Sequence, residues 1–195
     1  MAWRKAGSTT LGSASGNLEV GSLSSNKFMN IMHHQNRSGS SGSPAGSIRM
    51  GNGSVDANSN YALRNSANGG SDATIVSSAW NDFAGGSLQF LGIAYMINIT
   101  SEEKLGIYHS VEVGATGAGT APNRRETVQK WANTSDEVDT YRMLNLASGS
   151  YDIGSNVTVL GSDGVESLGV QDGAIYYETD TNKEFLLYNN TWTEL

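Results

Sequence analysis

The chain of 195 residues contains no cysteine. Disulfides, thiolate metal sites and cysteine nucleophiles are therefore excluded. Proline occurs only twice, and charged residues make up 16% of the chain, well below the ordinary ~25%. Lysine and arginine number 12 against 19 aspartate and glutamate, for a net charge of −7. Recognition of a phosphate backbone needs clustered cations, so nucleic acid is not expected as a partner. The longest apolar stretch, around Phe90 to Ile99, is too short to cross a bilayer, so membrane insertion is not expected either. No apolar leader core follows Met1-Ala2-Trp3-Arg4-Lys5, and the expectation is synthesis in the cytoplasm.

Small and polar residues take the place of the missing charges. There are 24 glycines, and serine, threonine and asparagine are abundant. Turn formers outnumber strong helix formers. No amphipathic helical stretch of about a dozen residues can be found, whereas short alternating stretches recur every 8 to 14 residues between turn signals. The predicted fold is all-β, an antiparallel jelly roll or β-sandwich. Residues 1–26 are predicted to form an extended arm, because Leu11, Leu18 and Leu23 are scattered among small polar residues. A frayed terminus is the alternative. Residues 27–164 are predicted to be the body and residues 165–195 an appended β-hairpin.

Within the body, KFMNIMHH at 27–34 reads as the first strand. Residues 36–46 read as a flexible loop, and Tyr61, Leu63 and Asn65 share one strand face. Residues 74–83 fit a strand or a helical turn, ended by Gly85-Gly86. The clearest core strand spans 87–99. Phe90, Gly92, Ala94 and Met96 lie on one face and Leu91, Ile93, Tyr95 and Ile97 on the other, so burial on both faces is expected. Residues 104–114 read as its antiparallel partner, with Leu105, Ile107, His109 and Val111 on a common face. Residues 124–134 fit a strand or a short helix.

Residues that could support chemistry are few. His33 and His34 are adjacent on a strand and so point to opposite faces, which prevents joint chelation; His109 could join one of them. The segment GATGAGT at 114–120 lacks the lysine and following helix of a phosphate-binding loop. No nucleophile-elbow pattern is present. Calcium could be offered oxygen by Asp136, Glu137, Asp139 and Asp163, but without the spacing of a dedicated loop. Carboxylates for glycoside cleavage could come from Glu102, Glu103, Glu112, Glu126, Asp136, Glu137 and Asp139. No catalytic residue, metal or cofactor is predicted from these. Arg124, Arg125, Lys130 and Trp131 are candidates for contact with an acidic glycan or a neighbouring acidic subunit; Trp131 as a core residue is the equal alternative.

The C-terminal segment DGAIYYETDTNKEFLLYNNTW reads as strand, turn, strand, a tight Asn189-Asn190 turn and then Trp192. It resembles a short hairpin motif common in tail-fibre and other surface proteins of tailed phages. The matching positions are Gly173, Ile175, Tyr177, Thr179 to Lys183, Tyr188, Asn189 and Trp192, about a seventh of the chain. INITSEEKLGIYHSV and GSYDIGSNVTVLGSDG are similar to segments of small jelly-roll domains in phage virion proteins. The resemblance implies a non-enzymatic structural protein of the virion, in its capsid, tail, baseplate or fibre. Its partners would be copies of itself, trimers included, and other virion proteins. The expected assembly contacts are Trp3, Leu11, Leu18, Leu23, Tyr176, Tyr177, Phe185 and Trp192. A carbohydrate-binding module for host attachment and a glycan-cleaving enzyme are the alternatives.

Overall fold

A computed structural model describes residues 3–36, 46–83, 89–113, 115–146, 148–163, 173–188 and 191–195. The loop expected at 36–46, the stop at Gly85-Gly86 and the Asn189-Asn190 turn lie largely or wholly outside them. In chain order the strands are β1 (Arg4–Thr10), β2 (Asn17–Val20), β3 (Phe28–Gln35), β4 (Gly46–Asn52), β5 (Ser54–Val55), β6 (Tyr61–Ala67), β7 (Ala73–Ser77) and β8 (Trp80–Phe83). They continue with β9 (Phe90–Ile97), β10 (Lys104–Glu112), β11 (Asn123–Trp131), β12 (Thr140–Leu144), β13 (Asn156–Ser162), β14 (Ile175–Glu178), β15 (Lys183–Tyr188) and β16 (Thr191–Glu194). No helix occurs among the described residues.

The chain divides into two compact units, Trp3–Asp163 and a smaller one built on Gly164–Leu195. The larger unit is the expected antiparallel β-sandwich. Its main sheet has eight strands in the order β1-β13-β3-β9-β10-β11-β6-β7. Its second sheet has five, with β2-β12-β4-β5 in a row and β8 also paired to β4. Leu18, Ile48, Met50, Tyr141 and Met143 from the smaller sheet share one core with Met29, Ile31, Phe90, Tyr108, Trp131 and Val159 from the larger. In the smaller unit β14, β15 and β16 form a separate antiparallel sheet.

Of the arm expected at residues 1–26, the described residues, 3–26, are instead part of the body. β1 pairs with β13, and β2 pairs with β12. Leu18 is fully buried, Leu23 is buried, and Leu11 packs against the core of its own chain. None of these leucines is free to anchor the chain on another subunit. The cause is local. Gly7 lacks a side chain, and a Cβ there would lie 2.7 Å from Leu23 and 2.9 Å from Val20, so β1 closes directly over them. Leu18 and Val20, two residues apart, share the inward face of β2.

The centre of the core is polar at one point. His33 on β3 is fully buried, with its Nε2 2.7 Å from the Tyr108 hydroxyl and its Nδ1 against the Met143 sulfur. Phe90, Tyr108 and Tyr141 meet the imidazole edge to face. Gly92, its neighbour in register on β9, has no room for a side chain, because a Cβ would collide with His33 and the Tyr108 hydroxyl.

Burial pushes the His33 pKa down from 6.5 to about 3. Between those two values the unfolded chain holds a proton on this residue that the folded chain excludes. Folding stability therefore falls as the pH drops through this window, by at most about 1.4 kcal/mol per pH unit from this group. Urea unfolding of wild type and His33→Gln at pH 7 and pH 4 should show a smaller loss between the two pH values in the variant. Gly92→Ala should lower stability at neutral pH by about 2 kcal/mol through overpacking, read as an earlier urea midpoint with unchanged slope.

Candidate interaction surface

On β10, burial alternates strictly from Lys104 to Glu112. The inward residues are Lys104, Gly106, Tyr108, Ser110 and Glu112, and the outward ones are Leu105, Ile107, His109 and Val111. The strand has turned its aliphatic face to water and its polar face to the core. Ile107 and Leu105 are each 53% exposed. The neighbouring strands continue this face. Ile107 is in register with Tyr95 on β9 and with Val128 on β11, and both are about half exposed. Val111 is in register with exposed Leu91. Burial on both faces of β9 is thus not observed; its Leu91 and Tyr95 face solvent.

Lys104 and Tyr108, two of the inward polar residues of β10, have defined partners. Lys104 is fully buried, and its Nζ donates to the backbone oxygens of Glu102 at 2.6 Å and Asn133 at 2.9 Å. Burial lowers its pKa, while Asp136, Glu137 and Glu102 act in the opposite direction. Tyr108 bonds His33. These partners make the burial of Lys104 and Tyr108 tenable, since a buried polar group is costly only where it lacks one.

The smaller sheet is ordinary on its outside. Glu19, Arg142 and Arg49 stand in register across β2, β12 and β4. Arg142 pairs with Glu19, and Arg49 donates to the Ser78 backbone oxygen at 2.9 Å. One outer face of the sandwich is therefore charged and internally paired, and the other is an apolar band. The charges that border the band lie on β11, where Arg124, Glu126 and Lys130 point outward, and on β6, where exposed Arg64 stands in register with Val128 and meets Asp72 at 3.5 Å. Lys130 meets Glu103 at 2.8 Å, and Arg124 meets Glu126 at 3.7 Å.

Trp131 does not stand at this surface as a contact for a glycan or partner. It is 1% exposed, stacks on Tyr61, and donates its indole N–H to Asp56 at 2.9 Å. Burial of Asp56 acts to raise its pKa, but the hydrogen bonds from Trp131, Asn60 and Asn58 outweigh this and hold it below the usual value. Arg124 is exposed, and Arg125 and Lys130 are half-buried, so the four residues do not form one exposed cluster.

The remaining candidates lie apart. His33 is in the core, while His34 and His109 are on the outer face of the large sheet. Among the described residues no three histidine or acidic side chains gather as a metal site. Glu137 accepts from Thr100 at 3.2 Å and from Ser25 at 2.5 Å. Asp139 accepts from Gly53 N–H at 2.7 Å and from Thr140. The acidic loop at 136–139 thus serves to tie the β11–β12 connection to its surroundings. In the smaller unit Tyr176, Tyr177 and Trp192 are exposed and Phe185 is half-buried, with Tyr176 against both Phe185 and Trp192. Trp3 is also exposed.

Because Ile107 and Val128 contribute little to the core, Ile107→Thr and Val128→Thr should each change unfolding free energy by less than about 1 kcal/mol. They should also reduce binding of a hydrophobic dye, which fluorescence titration would show. Comparison of the chain with protein-family models, with curated proteins and with solved structures gives no match in any of the three.

Proposed function

We propose that this protein is a non-enzymatic structural building block that acts by assembling with copies of itself, as a component of a tailed-phage virion. The observation that carries the reading is the apolar outer face of the large sheet, set against the charged outer face of the small one. A sheet face exposed to water is ordinarily polar, and contiguous apolar patches mark surfaces that become covered in use. The placement in a virion rests on the hairpin pattern of residues 173–192 and its resemblance to phage surface proteins. A jelly-roll ancestry for the sandwich belongs to the same reading. So does a role for Tyr176, Tyr177, Phe185 and Trp192 as contacts between subunits. A sheet of three short strands with aromatics in water gains stability when such faces are covered.

A second reading is favoured by the exposed Tyr176, Tyr177, Tyr188 and Trp192. Aromatic side chains of this kind stack on sugars, and the protein would then be an attachment module that binds a host-surface glycan.

Light scattering on the purified chain over a concentration series separates the two. The assembly reading expects a closed oligomer or a filament whose mass grows with concentration. A monomer at every concentration, together with binding on a glycan array, would replace it with the attachment reading.

A further inference from the structure

We propose that the outer face of β9, β10 and β11 binds the same face of a second copy of this chain, about a twofold axis that runs across the strands through Val128, Ile107 and Tyr95. This inference rests on the assembly reading and names the surface and partner it would use.

The face has the size and the pattern for this. Leu91, Tyr95, Leu105, Ile107, Val111 and Val128 together expose on the order of 500 Å2 of mostly apolar surface. Two such faces with their polar rims reach the ~1,200 Å2 at which specific interfaces begin. The outward positions of β9 and β10 carry no lysine, arginine, aspartate or glutamate, and their one titratable imidazole is His109. Sheets stack face to face at about 10 Å with strands inclined by about 30°, so a second sheet is the natural cover for a sheet face.

The charges on β11 select the occupant and its orientation. Glu126 and Lys130 both point outward, two residues on either side of Val128. An axis through Val128, Ile107 and Tyr95, perpendicular to the strands, places Lys130 of each copy opposite Glu126 of the other. Leu105 then faces His109, and Ile93 faces Ile97. An axis parallel to the strands over β10 would instead lay charged β11 on apolar β9 and take the exposed Arg124, Glu126 and Lys130 out of water with no countercharge on the other copy, which is costly. The outward positions of β9, β10 and β11 are thus complementary to themselves in one orientation, with Arg64, in register with Val128 on β6, at the rim and held by Asp72 at 3.5 Å. Such an isologous contact repeats every interaction twice.

Sedimentation velocity on the full chain tests this, with circular dichroism to confirm that each variant is folded. Wild type should self-associate. Ile107→Asp, at a solvent-exposed position in the single chain, should stay folded and raise the dissociation constant at least about 100-fold, since the substitution counts twice at the centre of the contact. Lys130→Glu should raise it about tenfold or more. Lys130→Glu combined with Glu126→Lys should recover most of that loss, which a purely structural effect of either residue would not do. Wild type that is oligomeric while Ile107→Asp is equally oligomeric overturns this face and leaves the assembly reading standing. Wild type that stays monomeric overturns both.

Discussion

The arrangement of the large sheet depends on one close approach. Gly92 sits where the His33 imidazole and the Tyr108 hydroxyl need its space. A strand has only two faces, and a shift of one residue would exchange them. Once Gly92 must point inward, Phe90, Ala94 and Met96 point inward with it, and Leu91 and Tyr95 must face outward. The ladder passes the choice to β10, where Tyr108 enters the core and Ile107 is left in water. The exposed apolar band is thus the other side of a packing decision made at the centre of the sandwich.

That decision has consequences at the ends of the same strand. With Tyr108 inside, Lys104 and Glu112 are also inside. Lys104 is accommodated because a neighbouring turn and the β11–β12 connection present backbone oxygens to it. The acidic loop at 136–139 is ordered by the same region, through Ser25, Thr100, Gly53 and Asn98. Side chains that look in isolation like ion ligands or catalytic acids are engaged in holding the crossover between the two sheets.

The all-β class and many individual strands were legible in the sequence, since period-two alternation and glycine-rich turns are local signals. Tyr61, Leu63 and Asn65 do share a buried face, β10 does pair with β9, over residues 106–112, and the C-terminal segment does form a hairpin. The N-terminal strands were not legible. β1 carries mostly small polar residues, and its place in the sheet comes from β13, more than 140 residues away. The direction of β10 was hidden as well. Hydrophobicity alone would put Leu105, Ile107 and Val111 inside, and only the inward space reserved by Gly92 and the anchoring of Lys104 reverses that. Trp131 was undecidable from its own neighbourhood, because its indole partner is Asp56, a residue far along the chain. The candidate surface, for these reasons, was not readable as a surface before the fold was known.

The order of strands also bears on how the chain reaches its native state. β13, the last strand of the sandwich, lies between β1 on one side and β3 on the other. The first strand of the chain has no partner in the sheet until residues 156–162 arrive. Pairings of such wide sequence separation make for slow folding and high contact order. During synthesis the edge of β3 that β13 will occupy stays open, and an open edge accepts strands from other chains. Expression rate, temperature and chaperone supply should therefore govern the soluble yield of this protein more strongly than its final stability does.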